Sequence, residues 1–352
     1  MRGGTARACL RGRDRAASGP HRGLAAKALV AALLIAALCL AVDLDEAAAA
    51  LARARPLPLA TALAASVLGV LVSAEKWRGL LLAAGVRLSL AACARLYWVG
   101  MFASNLLPTS VGGDAARLML TPAPGRRAAV AGSILVERLT GFLVMLGLCT
   151  LGLALRPAYF DAPGLRNAFL AAVLALDLGV VAALLAPGLL VPPLARLAGR
   201  LPPGGIPGRA VAAAGRVAAA VAAQARDPAA LARALGFSVL FYGTIIVAQH
   251  AVLRAAGADV SLLEVALVAA VVPLIAMAPV SLNGLGVAEG VFVLLYIQLG
   301  VDPGAALAAA VLRRLVDLAN SGLGGPLWLA FRAGPAAGRS RTEAGLTSGT
   351  AT

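Results

Sequence analysis

Long apolar runs decide what this chain can become. Segments 24–42, 57–74, 128–155, 167–191, 233–254 and 305–331 are built mainly of Ala, Leu and Val. They belong to a 352-residue chain that is 61% hydrophobic and 13% charged. A membrane crossing needs about 20 apolar residues, and a soluble globule of this size cannot hide such an excess from water. Disorder demands the opposite composition. A transmembrane β-barrel would show alternating segments of roughly ten residues instead of continuous runs. The sequence therefore predicts an all-α polytopic membrane helix bundle. The run 24–42 has a basic start and an Ala-rich end, so a first-helix anchor and a signal peptide both fit it.

Three further segments, 88–107, 262–279 and 286–300, are short or interrupted by Pro, Gly and polar groups. Reading 88–112 and 262–300 as re-entrant hairpins entering from opposite sides leaves about six full spans. Basic residues test that topology. The net charge of +15 comes from 29 Arg and 2 Lys against 16 acids. With cytoplasmic termini, 22 basic residues fall on the cytoplasmic side and 5 outside, as positive-inside insertion requires. The basic character thus reads as topology and contact with anionic lipid, not as nucleic-acid binding. The expected organisation is a disordered basic tail at 1–23, one membrane domain at 24–332 and a disordered tail at 333–352. Within the domain, 194–233 is an amphipathic connector on the cytoplasmic surface or a plain topological link. A bacterial inner membrane is the expected location.

Two segments break the apolar monotony in the same way. The first runs Asn105-Leu-Leu-Pro108-Thr-Ser-Val-Gly112-Gly113-Asp114-Ala-Ala-Arg117. The second runs Pro279-Val-Ser281-Leu-Asn283-Gly284-Leu-Gly286-Val-Ala-Glu289. Each has a Pro, a Ser, closely spaced Gly and an acid, and each precedes a helix with a deep Arg. Gly113 lies 25 residues before Arg138, and Gly286 lies 28 before Arg314. This weak repeat predicts pseudo-symmetric inverted halves. A helix broken at membrane depth survives only where protein or a polar cavity satisfies the freed backbone groups. In transporters such breaks in matching positions mark the substrate site. The bland alternative is a Pro-Gly turn ending a helix at the membrane surface.

Charges inside apolar helices are the second signal, because each is costly and normally finds a partner in the bundle interior. Ser133, Glu137, Thr140 and Gly141 share one face, and Arg138 points elsewhere. Arg313, Asp317, Asn320 and Gly324 share another face, with Asp317 in reach of Arg313 or Arg314. Asp114 is the expected partner of Arg138, and Glu289 of Arg314. Two aromatic–basic groups, Arg95 with Tyr97-Trp98 and Lys76-Trp77-Arg78, read as interfacial anchors. Gln249 and His250 read as the end of a span. Four scattered cysteines and two distant histidines suggest neither disulfides nor a metal site. The sequence carries no nucleotide, cofactor or soluble catalytic motif.

At these residues the chain resembles the membrane region of bacterial lysylphosphatidylglycerol synthase/flippase proteins, a region shared with stand-alone flippase-like proteins. The family pattern of Asn, Pro, Gly-Gly-Asp and Arg is matched by Asn105, Pro108, Gly112, Gly113, Asp114 and Arg117. The acid-Arg-Leu core is matched by Glu137-Arg138-Leu139. The later Pro, Gly-Gly-Leu-Gly and acid are matched by Pro279, Asn283-Gly284-Leu285-Gly286 and Glu289, with Asn283 where Gly is usual. Arg314 matches the Arg of the final helix. The resemblance covers about 25–332. Only Arg332–Thr352 follows, where the synthases carry an aminoacyl-transferase domain, so lipid aminoacylation is not implied. What it implies is movement of an anionic or aminoacylated phospholipid, or a lipid-linked precursor, between leaflets. The expected substrate-binding set is the twelve motif residues Asn105, Pro108, Gly112, Gly113, Asp114, Arg117, Glu137, Arg138, Asn283, Gly284, Gly286 and Glu289, together with Arg314 and Asp317. The expected partners are a membrane lipid, a second copy of the chain packed through small residues such as Gly322-Leu-Gly324-Gly325, and a separate cytoplasmic transferase. The alternatives are a membrane-embedded enzyme acting on polyprenyl-phosphate or phospholipid, with Asp114 or Glu137 as base, and a scaffold that docks such a transferase through 194–233.

Overall fold

A computed structural model describes residues 44–106, 112–155, 163–186, 205–277 and 285–333, with positions 192 and 196. The apolar run 24–42, the tails at 1–23 and 334–352 and the motif residues Pro108, Asn283 and Gly284 lie outside the described residues, while Ala333, expected in the tail, closes the last helix. All regular structure among the described residues is helical. The helices are α1 (Leu44–Ala52), α2 (Pro56–Ala83), α3 (Leu90–Leu106), α4 (Gly112–Leu120), α5 (Arg127–Leu155), α6 (Pro163–Leu185) and α7 (Ile206–Ala225). They continue with α8 (Pro228–Ala255), α9 (Leu262–Val268), α10 (Val271–Ala276), α11 (Val287–Gln298), α12 (Pro303–Gly322) and α13 (Gly324–Ala333).

Among the described residues four helices are long and apolar enough to cross a membrane: Pro56–Ala83, Arg127–Leu155, Arg166–Leu184 and Pro228–Ala255. The 28 residues of α2 span about 42 Å at 1.5 Å each. The outer surface is greasy: Leu68, Leu151, Leu174, Leu178, Leu240 and Leu294 are all exposed. A soluble fold would point such residues inward; a bilayer rewards their exposure.

Local chemistry sets the helix ends. Pro56 opens α2, and Gly85, at φ 76°, takes the left-handed turn that follows it. Asp227 accepts a hydrogen bond from Ala230 N at 2.9 Å and Pro228 fills the first turn of α8, a capped start. This helix therefore begins five residues before the apolar run at 233–254, inside the expected connector, whose remaining described part is α7 packed on α5. It also continues past His250 to Ala255, ahead of Gly257 at φ 86°. Gln249 and His250 are thus helix-interior residues, not the end of a span.

Two expected segments are interrupted. The run 305–331 divides into α12 and α13 at Leu323. Gly322, Gly324 and Gly325 weaken the helix there, and Pro326 cannot donate to the Gly322 carbonyl. Gly324 also seats against the Trp98 carbonyl so closely that a Cβ would collide with it. The segment 262–279 is broken between α9 and α10. Pro273 cannot donate to the carbonyl of Ala269, a fully buried residue. Gln249 Nε2 donates to that carbonyl instead, at 3.4 Å, and Gln249 Oε1 accepts from Tyr296 Oη at 3.0 Å. The freed backbone group is satisfied by protein, as an apolar environment demands.

The bundle centres on α2, whose most extensive packing is against α8, with α3, α5 and α12 around the pair. Trp77, Leu81, Leu96 and Val130 form one core between α2, α3 and α5. Leu253, Val268, Phe292, Tyr296 and Ala306–Ala310 form another, from α8 to α12. Close approaches rely on glycine. On α5, Gly152 lies against the Leu267 carbonyl of α9, whereas Gly147 meets nothing within 4 Å of a built Cβ. Gly152→Ala should therefore lower stability by about 1–3 kcal/mol through overpacking. Gly147→Ala should be neutral or slightly stabilising through helix propensity. Thermal unfolding of the detergent-purified variants checks both.

Candidate functional site

The first Gly-Gly-Asp motif is placed by a backbone contact. A Cβ on Gly100 of α3 would lie 3.0 Å from the Gly113 carbonyl, and one on Gly113 would overlap the Gly100 carbonyl and Ser104 Oγ. These two glycines let α4 rest directly on α3. Asp114 then sits in the first turn of α4, where a helix N-terminus favours an acid, and Arg117 follows one turn later.

Arg117 is enclosed. Its side chain is 6% exposed, and Nη2 donates to Glu137 Oε2 at 2.6 Å while Nη1 reaches Asp114 Oδ1 at 3.4 Å. Its guanidinium carbon lies 4.1 Å from the Trp77 ring centre and 3.9 Å from that of Tyr97. Two counter-charges and two π faces replace much of the lost hydration, while Nε is left without a hydrogen-bond partner among the described residues. Arg138 donates from Nε to Asp114 Oδ2, so Asp114 bridges both arginines. Arg138 remains 41% exposed and is the arginine of the pair with room for a further ligand.

Lys76 and Trp77 complete this cluster, against the interfacial-anchor reading. Trp77 is fully buried and Lys76 is 5% exposed. Trp77 Nε1 donates to Ser133 Oγ at 3.0 Å. Lys76 Nζ donates to the Glu137 carbonyl and to Ser238 Oγ, both at 3.2 Å. Tyr97 and Trp98 also turn inward: Tyr97 stacks on Arg117, and Trp98 Nε1 donates to Asn320 Oδ1 at 3.0 Å. Arg95 points outward and, among the described residues, bonds only to its own helix at Ala91. Asn105 Nδ2 donates to Ser321 Oγ at 2.7 Å, tying the end of α3 to α12.

The second motif repeats the local pattern. Glu289, in the first turn of α11, accepts from Gly286 N at 2.7 Å and from Arg314 Nε at 2.7 Å. Gly286 takes φ 80°, the left-handed conformation that glycine supplies. Asp114 and Arg138 are 24 residues apart and Glu289 and Arg314 are 25 apart. The acid-to-Arg distance is thus more regular than the Gly-to-Arg one. Arg313 lies 3.7 Å from Asp317 and 5.6 Å from the Phe292 ring centre.

Two cavities adjoin these groups. One, of about 260 Å³, is lined by Lys76, Asp114, Arg117, Glu137, Arg138, Gly113 and neighbouring aromatic residues. The other, of about 370 Å³, is mostly apolar but holds Arg313, Asp317 and Asn320 opposite Ser66 and Gly69. Ser73, Tyr97, Met101 and Phe241 line both, so the two lie end to end along α2. Lys76 is seven residues, about 10 Å, from the end of α2, and Gly69 is near its middle. Arg314, Glu289 and Gly286 line neither cavity, and Asn105 and Gly112 also stay outside these walls. Arg313, which the sequence places on one face with Asp317 and Asn320 but outside the expected binding set, lines the cavity where Arg314 does not. Lys76 also lies outside that set, and its burial has no sequence signal beyond its place within an apolar helix.

The Arg117–Glu137 pair makes a sharp energetic prediction. Breaking a buried pair from one side strands a charge and costs about 3–5 kcal/mol, whereas replacing both partners with apolar groups costs far less. Arg117→Met should therefore unfold well below wild type, and Arg117→Met/Glu137→Leu should recover part of the loss. A thermal double-mutant cycle reads the difference.

The geometry can be set beside known proteins. A UPF0104 membrane protein of Methanothermobacter thermautotrophicus is 35% identical over 80 residues, 23% of this chain and 24% of that protein. The match thus spans about a quarter of that relative's length. The family model described as the lysylphosphatidylglycerol synthase TM region matches residues 24–324. The chain belongs to that family and is an integral membrane protein of it.

Proposed function

We propose that the bundle moves an anionic or aminoacylated phospholipid, or a lipid-linked precursor, between leaflets. The observation that carries this reading is the pair of adjoining cavities along α2, charged at one end and apolar with an embedded Arg–Asp pair near mid-helix. A lipid has the same division, a charged head and a greasy tail. Transport needs polar stations at membrane depth, and charges there mark substrate paths. Arg138 engages the phosphate at the charged end, since arginine fits phosphate through two parallel hydrogen bonds. Arg313 and Asp317 form the mid-helix station. Arg117, held by two acids and two rings, positions the wall. Arg314 and Glu289 lock α11 to α12, repeating the Asp114–Arg138 link. That repetition supports two pseudo-symmetric inverted halves whose interrupted segments are re-entrant. The charge asymmetry of the sequence supports cytoplasmic termini in a bacterial inner membrane.

Lipid translocation in proteoliposomes tests the reading. The probes are fluorescent phosphatidylglycerol, its lysyl form and a polyprenyl-phosphate sugar, with and without a proton gradient. Wild type should move at least one of them selectively. Arg138→Ala should slow it by about 10- to 100-fold, the kinetic equivalent of one lost charge-assisted hydrogen bond. Arg138→Lys should fall between, because an ammonium cannot make the forked contact. No movement of any probe by folded wild type, or full movement by folded Arg138→Ala, would overturn the assignment.

A further inference from the structure

The wall of the 260 Å³ cavity does not balance its charge. In their ordinary ionised forms Lys76, Arg117 and Arg138 supply three positive charges, and Asp114 and Glu137 supply two negative ones. Both carboxylates face arginines: Glu137 accepts from Arg117, and Asp114 accepts from Arg138 and Arg117. Lys76 is left with neutral partners, a backbone carbonyl and a hydroxyl. Among the described residues it joins no ion pair. An ammonium carries three donors, so two hydrogen bonds leave one N–H over. At 5% exposure, bulk water does not compensate the charge. Glu137 attracts Lys76 without bonding it through its carboxylate, and that carboxylate is already taken by Arg117, so the wall is one counter-charge short, which is expensive when buried. Gly141 keeps one flank open: a Cβ there would stand 3.8 Å from Lys76 Nζ, in ordinary contact.

We propose that this cavity is a site for a phosphate ester with a single negative charge and no head-group cation, and that Lys76 is its ammonium ligand. The anion supplies the missing counter-charge and takes the spare N–H, while Arg138 closes on it from the accessible side. This deepens the transport reading and rests on it for the claim that the ester is part of a lipid. It narrows the substrate class to anionic lipid, because an aminoacylated head group would bring further positive charge to a wall already in positive excess.

Calorimetric titration of the full chain in neutral detergent tests the site directly. The probes are dihexanoyl-phosphatidylglycerol, dihexanoyl-phosphatidylcholine and inorganic phosphate. Wild type should prefer the anionic lipid over the zwitterionic one by about tenfold or more, the scale of one charge-assisted hydrogen bond. Lys76→Met should abolish that preference, and Lys76→Arg should keep it. Unchanged preference in Lys76→Met, or no anion binding by wild type, overturns the proposal. Should Lys76→Met not fold, Gly141→Leu fills the space beside Nζ without altering a charge and should lose the same preference; its retention overturns the site. Inorganic phosphate binding as tightly as the lipid, and dependent on Lys76, supports the anion site and overturns its assignment to a lipid. Translocation is read separately. Lys76-dependent binding without translocation by wild type overturns transport and leaves the site standing. Translocation with binding indifferent to Lys76 overturns the site and leaves transport standing.

Discussion

An arginine placed inside a helix bundle has to bring its counter-charge with it, and the fold is organised around that requirement. Arg117 is the clearest case. Removing its guanidinium from water is compensated by Glu137 from α5, Asp114 from its own helix, and the rings of Trp77 and Tyr97 from α2 and α3. Four helices must converge to supply those groups. The convergence dictates the close contact of Gly113 with Gly100, and it fixes where the cavity opens. Arg138 shares Asp114 with Arg117, so the accessible arginine is held in place by the buried one.

The same economy of polar groups recurs where the backbone is interrupted. Pro273 frees the Ala269 carbonyl, and Gln249, itself held by Tyr296, satisfies it. In the second half, Glu289 joins a helix start to Arg314 as Asp114 joins one to Arg138. These links let short helices stand within an apolar bundle. The result is a charged cavity beside a mostly apolar one along α2.

Much of this was legible in the residues. Continuous apolar runs specify spans because the bilayer's thickness sets their length. The pairings of Asp114 with Arg138 and Glu289 with Arg314 follow from two similar motifs and the cost of unpaired charge. What was not legible depends on direction in three dimensions. Lys76-Trp77-Arg78 has the composition of an interfacial belt; only the packing of α5 and α8 against α2 shows that Lys76 and Trp77 turn inward. Arg313 and Arg314 are adjacent, so a rotation of one residue decides which faces the cavity, and sequence periodicity does not choose. The start of α8 at Pro228 follows a cap rather than hydropathy. The Gly-rich run before Pro326 marks where the last helix weakens, but the seat of Gly324 against the Trp98 carbonyl comes from a helix more than 200 residues away.

The central claim is that the charged cavity beside Lys76 and Arg138 accepts a lipid head group while the adjoining apolar cavity along α2 accepts chain. An experimental structure of the protein in nanodiscs of anionic lipid tests this most directly. The account predicts phosphate density between Lys76 and Arg138, with acyl density running past Tyr97 toward Gly69. A cavity holding only water, with ordered lipid confined to the outer faces of the bundle, would contradict it.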